Sequence, residues 1–280
     1  MRRPQPPVPG RYQTDLGTTE LLADGDHPGG WELCVDGVPQ SYVDIDDPTH
    51  LEFEYVQLIG DVLDTVAAPT APITVLHLGG GACTLARYVA ATRPGSPQLV
   101  FERDAALVEL VRAELGTEGF RLRVADARAG LATLGDASGD VVIGDTFVGA
   151  ALPPTHATVE HVREVRRVLR PGGCYVLNVA DGKPLDFARS QVATMQTVFA
   201  KVVLLAEPAV LRGRRFGTRV LAGSDDPLPV DELGRRTARA AGTARVLFGQ
   251  DIDRFRAGSA PITAETARPS PVPPPSVFGR

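Results

Sequence analysis

The sequence predicts an α/β protein with a mostly parallel central sheet, preceded by a small N-terminal antiparallel β-domain. Three observations carry this. Residues 73–78 form an apolar run that stops at Gly79-Gly80-Gly81, and a helix-like segment and a second apolar run ending in Phe101-Glu102-Arg103-Asp104 follow. Apolar runs then keep alternating with helical patterns to about residue 225, as crossover units of a parallel sheet require. Between residues 18 and 44, short apolar runs are separated by Asp24-Gly25-Asp26-His27-Pro28-Gly29-Gly30 and by Asp36-Gly37, the spacing of two adjacent hairpins.

Taken in order, residues 1–13 are Pro-rich and read as a disordered tail, and residues 14–47 as the hairpin domain. Residues 48–262 form the main domain. It opens with a helix over residues 48–66, in which Leu51, Tyr55, Leu58, Ile59, Val62 and Leu63 recur at three- and four-residue intervals and define one buried face. Strand, glycine turn, helix and strand follow over residues 73–102. Next come a helix from about 105 to 115, strands at 121–124 and 141–144, and a helix from about 158 to 169. Leu169-Arg170-Pro171-Gly172-Gly173 stops that helix and restarts the chain as a strand at 174–179. A helix at about 186–200 precedes strands at 202–206 and 219–223, which are expected to pair antiparallel at one edge. Residues 263–280 read as a second Pro-rich disordered tail.

Composition narrows the function. At 280 residues the chain can bury a large core, and its 43% hydrophobic content is that of a soluble globular protein. The net charge of -5, from 34 acids against 29 bases, argues against a nucleic-acid or anionic-membrane partner. Cys34, Cys83 and Cys174 are far apart and lack metal-ligand spacing, so they read as reduced thiols. The N-terminus has no apolar core of signal-peptide type, and no run approaches the roughly 18 to 20 apolar residues of a membrane span. A cytoplasmic location with no metal is the resulting expectation.

Ligands of open α/β sheets bind beyond the carboxyl ends of the strands. The residues there are Gly79 to Gly81, Glu102, Asp126 and Asp145-Thr146. A glycine turn lets a ligand approach the backbone at a helix N-terminus, and an acid about 20 residues on can hold the two hydroxyls of a ribose. Any one of these acids could equally cap the following helix. The turn matches only the first part of G-x-G-x-x-G, and no G-x-x-x-x-G-K-[ST] is present, which argues against a phosphate-cradling hydrolase. A nucleoside without phosphate suits this acid-rich edge. His77 reads as a core histidine, Trp31 as a hairpin anchor, and His156 and His161 lack a metal-site pattern. Asp181 is either a helix cap or an extra acid for an amine.

The succession of Leu33-Cys34-Val35-Asp36-Gly37-Val38-Pro39-Gln40-Ser41, Val75 to Gly81, Val100-Phe101-Glu102-Arg103-Asp104, Ala125-Asp126-Ala127-Arg128 and Val141-Val142-Ile143-Gly144-Asp145-Thr146 resembles the spermidine synthase family of polyamine aminopropyltransferases over residues 15 to 225. The resemblance implies a Rossmann-like, class I methyltransferase fold, with S-adenosylmethionine or its decarboxylated form as co-substrate and a small-molecule amine or other acceptor. It also implies that Gln40 and Gly79, Gly80 and Gly81 border the sulfonium nucleoside, that Glu102 holds the ribose, that Asp126 and Ala127 meet the adenine edge, and that Asp145 is catalytic. Many members of the family form homodimers.

Two positions depart from the family pattern. Ala82 stands where an Asp usually pairs with the aminopropyl ammonium, and Val148 stands where a second acid of a D-[ST]-x-D-P motif helps hold a diamine. A charge-assisted contact to a buried ammonium contributes on the order of 1.5 to 3 kcal/mol, so losing both would weaken polyamine-type binding by about a hundredfold or more. Three readings follow: an aminopropyltransferase, an S-adenosylmethionine-dependent methyltransferase on the same scaffold, and a catalytically inactive nucleoside-binding homologue.

Overall fold

The computed structural model describes residues 6–238 and 244–274. The N-terminal unit is a four-stranded antiparallel meander of β1 (Gly10–Thr14), β2 (Gly17–Ala23), β3 (Gly30–Val35) and β4 (Val38–Asp44). Its first strand starts three residues before the end of the segment expected to be disordered. Gly10 to Thr14 pairs along its whole length with β2, and that ladder satisfies backbone groups that a proline-rich tail would leave to water. Of that expected tail, residues 1–5 lie outside the described residues. Leu21, Trp31, Leu33 and Val43 form one apolar face of the meander, so Trp31 is a core anchor.

The main sheet has eight strands in the order β12-β10-β11-β9-β8-β5-β6-β7. These are β5 (Val75–Leu78), β6 (Gln98–Glu102), β7 (Arg121–Val124), β8 (Gly139–Gly144), β9 (Leu169–Asp181), β10 (Lys201–Ala206), β11 (Gly217–Ser224) and β12 (Arg245–Leu247). β5 to β9 pair in parallel. β10 and β11 are antiparallel, as their short separation predicts, but β11 is inserted between β9 and β10, and β12 takes the edge. The fold is thus the Rossmann-like methyltransferase architecture with a small antiparallel sheet in front.

Helices cover both faces. They are α1 (Glu54–Thr65), α2 (Thr84–Thr92), α3 (Ala105–Leu110), α4 (Ala127–Ala132), α5 (Val159–Val168), α6 (Asp186–Val198), α7 (Pro208–Leu211), α8 (Val230–Thr237) and α9 (Gln250–Arg256). α1 buries Val56, Leu58, Ile59, Val62 and Leu63 but begins six residues later than its periodicity suggests. The Asp47 carboxylate accepts from the Thr49 N–H at 3.0 Å, which holds that stretch in a turn. α4, six residues long, is too short to show a period in the sequence.

Two contacts position the site. The β1–β2 turn and the start of α3 exchange carboxylates: Asp104 accepts from the N–H groups of Asp15 (3.1 Å) and Leu16 (3.0 Å), and Asp15 accepts from Ala105 N–H at 2.7 Å. Asp104 also caps α3 through Leu107 N–H at 2.8 Å. At the other end of the chain, residues 262–270 run as a strap over α5 and α6. Ile262 is buried, its N–H donates to Thr194 Oγ1 (2.9 Å), and its carbonyl accepts from Val159 N–H (2.8 Å). Ser270 is buried and bonds twice to Leu152: Leu152 N–H donates to Ser270 Oγ (2.9 Å) and Ser270 N–H to the Leu152 carbonyl (3.1 Å). The proline-rich stretch expected to be a disordered tail is therefore packed as far as residue 270, because paired backbone groups and buried Ile262 outweigh the composition. Residues 275–280 of that expected tail lie outside the described residues.

Candidate active site

The glycine turn between β5 and α2 is shaped by two close approaches. A Cβ on Gly79, whose φ is +90°, would lie 2.2 Å from the Asp145 carbonyl oxygen, so only glycine lets the turn pack on the loop after β8. A Cβ on Gly81, at φ +48°, would lie 2.3 Å from Ser41 Oγ. Ser41 is buried at the end of the D-G-x-x-Q-S hairpin, and its Oγ accepts from Ala82 N–H at 3.1 Å. The hairpin domain thereby rests directly on the turn.

Glu102, at the tip of β6, is buried and faces the turn. Its Oε2 accepts from Gly80 N–H (2.9 Å) and Gly81 N–H (3.3 Å), and its Oε1 from Asp104 N–H (3.0 Å). Asp126 caps α4 by accepting from Arg128 N–H (3.0 Å) and Ala129 N–H (3.1 Å) through Oδ1, and buried Ala127 follows it. Here capping and a place at the cleft coincide in one carboxylate.

Asp145 follows β8. Asn178 Nδ2 donates to its Oδ1 at 2.9 Å, and the Tyr55 hydroxyl donates to the same carboxylate. Burial pushes the Asp145 carboxyl up, while the two donors pull it back toward the ionised form. Tyr55 is held well above the ordinary phenol range, first by burial and then by the Asp145 charge, so it stays a donor.

These groups line one cavity of about 290 Å³, which also takes in Gln40, Phe101, Arg103, Thr146, Phe147, Val148 and His156. That volume lies at the small end of the roughly 300 to 1,000 Å³ typical of small-molecule sites. A smaller recess of about 30 Å³ continues beneath the turn past Tyr55, Asp145 and Ser41. The cavity lining contains the carboxylates of Asp36, Glu102, Asp104, Asp126 and Asp145 against one arginine, Arg103. The residues picked out in the sequence, Gln40, Gly79 to Gly81, Glu102, Asp126, Ala127 and Asp145, all border it.

Three neighbours were not singled out as site residues. Tyr55 repeats with the apolar face of α1, and nothing in its spacing marks a phenol at the end of the cleft. Asn178 is the polar residue in an otherwise apolar strand segment, Val176 to Ala180, a signal that could have been used. His156 lines the cleft with Nδ1 2.7 Å from Thr146 Oγ1, and its ring stacks on His161 at 5.0 Å. Burial lowers His156 and takes His161 down to about 3, so both rings are neutral near pH 7. Ala82 is fully buried among Trp31, Leu33 and Val43 and does not line the cleft. Asp181 caps α6 by accepting from Ala188 N–H at 2.8 Å, and His77 is a core histidine bonded to Gln98 at 2.9 Å.

Among solved structures, a probable spermidine synthase from Corynebacterium glutamicum ATCC 13032 is 34% identical to this chain, covers 92% of it and 96% of its own length, and superposes with a TM-score of 0.85. The chain belongs to the spermidine synthase family. The spermidine synthase from Thermotoga maritima (16% identity, 90% of this chain and 84% of that one, TM-score 0.60) shares the fold with the family member described here. So does a spermidine synthase in complex with the transition state analogue AdoDATO (16% identity, 90% and 83%, TM-score 0.59). The methyltransferase domain family matches residues 76–177, the segment from β5 into β9. A comparison with curated proteins found no match. By family and fold the protein is an S-adenosylmethionine-type transferase. Among the described residues, no helix is long and apolar enough to cross a membrane.

Proposed function

We propose that the protein is an aminopropyltransferase that binds decarboxylated S-adenosylmethionine and transfers its aminopropyl group to an amine. The observation that carries this reading is the acid excess of the cleft around Asp145, with five carboxylates against Arg103. The tail of intact S-adenosylmethionine brings a carboxylate into that field, whereas the decarboxylated tail brings only cationic charge. The 34% identical relative, described as a probable spermidine synthase, supports the same choice.

In this reading the glycine turn and Gln40 border the nucleoside, Glu102 turns from its backbone donors to the ribose hydroxyls, and Asp126 with Ala127 meets the adenine edge. The co-substrate supplies a sulfonium whose propyl carbon is electrophilic. Asp145 orients the acceptor amine and takes its proton. As the N–C bond forms, the C–S bond breaks, the electron pair stays on sulfur, and the neutral thioether methylthioadenosine leaves without needing an acid. Tyr55 and Asn178 favour the ionised form of Asp145 against the burial that raises its carboxyl.

Calorimetric titration with decarboxylated S-adenosylmethionine, intact S-adenosylmethionine and methylthioadenosine tests the assignment. Tighter binding of the decarboxylated form is expected. Preference for the intact form would instead favour methyl transfer, the reading that the domain match at residues 76–177 supports, and binding of none of the three would leave a non-enzymatic homologue. Asp145→Asn is expected to abolish transfer while sparing nucleoside binding, and Glu102→Ala to weaken nucleoside binding first.

A further inference from the structure

The wall of the cavity beyond Asp145-Thr146 is built by Phe147, Val148 and Gly149, with Pro153 after them. Val148 is held there by a tight turn, its N–H donating to the Ala151 carbonyl at 3.0 Å and its carbonyl accepting from Ala151 N–H at 3.3 Å. Val148 nonetheless remains 42% exposed, so this wall presents apolar surface to whatever enters.

The cleft's carboxylates are not all free to meet an acceptor. Both oxygens of Glu102 and both of Asp104 accept from backbone N–H groups, Oδ1 of Asp126 caps α4, and Oδ1 of Asp36 accepts from Thr18 N–H at 2.9 Å. Asp145 is the carboxylate whose partners are the Tyr55 and Asn178 side chains, and the wall next to it carries no second acid. A diamine needs two anionic anchors separated by its own length. An amine with one cationic end and an apolar tail needs one anchor and an apolar wall.

We infer that the acceptor is a primary amine carrying a single positive charge and an apolar tail, with its nitrogen at Asp145 and its tail along Phe147 and Val148. This rests on the aminopropyl-transfer reading. The nitrogen bound to Asp145 gives up one proton to the carboxylate and forms the new N–C bond, and methylthioadenosine leaves. The product carries its added charge at the far end of the transferred propyl group.

The experiment follows methylthioadenosine release from decarboxylated S-adenosylmethionine with hexylamine and with putrescine, for the natural protein, Val148→Asp and Val148→Thr. The natural protein is expected to use hexylamine with a kcat/KM at least tenfold above that for putrescine. Val148→Asp, at an exposed position where folding is not at stake, is expected to raise kcat/KM for putrescine at least tenfold, and Val148→Thr, which keeps the shape of the wall but not its apolar methyl, to lower kcat/KM for hexylamine without raising that for putrescine. A preference of the natural protein for putrescine, or no turnover with any amine although calorimetry shows that the decarboxylated co-substrate binds, overturns the inference and leaves the nucleoside site standing. Failure of the co-substrate to bind overturns the aminopropyl reading itself.

Discussion

Replacing Asn178 by Leu isolates how far its amide favours the ionised form of Asp145. The amide donates to Asp145 Oδ1 at 2.9 Å, while its own Oδ1 is buried without a partner. Leucine, branched at the same carbon, removes the donor and the orphaned acceptor together, and the remaining cost falls on Asp145, whose Oδ1 loses one donor. A hydrogen bond to a charged group is worth about 1.5 to 3 kcal/mol, and 1.36 kcal/mol corresponds to one pH unit, so the acid limb of the rate profile should move up by about one to two pH units. Amine transfer needs the ionised form, and turnover should therefore fall most at acidic pH and recover as pH rises. The assay is release of methylthioadenosine at saturating co-substrate across the acid and neutral range, with thermal denaturation as a check on folding. An acid limb that does not move, or a drop of equal size at every pH, would refute the role given to Asn178.

Two further perturbations bear on stability. Burial, with Asp64 and Glu232 nearby, raises the half-buried Asp61 carboxyl to about 6. Its folded value lies above its unfolded one, so ionising it costs the fold stability as pH rises from about 4 through 6. Asp61→Asn should therefore raise the urea midpoint at pH 7.5 and leave it unchanged at pH 4, and equal shifts at both would contradict the argument. Ser270→Ala leaves the buried Leu152 N–H without its acceptor, at about 1 to 3 kcal/mol, and calorimetry should show Tm several degrees lower. Ser270→Thr should keep most of the natural value.

Much of this architecture is written in local pattern. The run into Gly79-Gly80-Gly81 and the acid at the end of the next run identify strand, turn, helix and strand because backbone approach and period are local properties. Glu102, Asp126 and Asp145 stand at the sheet edge as expected, since the carboxyl ends of parallel strands share one side. What was hidden depends on contacts between distant segments. Tyr55 repeats with the apolar face of α1, and only packing puts its hydroxyl on Asp145. Ala82 reads as the next residue of the cleft, yet the left-handed Gly81 and Cys83 around it turn its methyl into the core beneath the hairpins. The two ends differ from expectation for a related reason: proline content predicts weak intrinsic order, but it carries no information about a ladder with β2 or about packing over α5 and α6.

The exchange of carboxylates between Asp15 and Asp104 also limits how a ligand can come and go. Swinging the hairpin domain away from the main sheet would break at least three backbone-to-carboxylate bonds and strip α3 of groups that complete its first turn. It would also part Ser41 from Ala82, at the wall where Gln40 stands. Traffic through the cleft is therefore expected past the Phe147–Ala151 turn, whose tie is a single isolated bridge, rather than past the hairpin side, which is tied at several points.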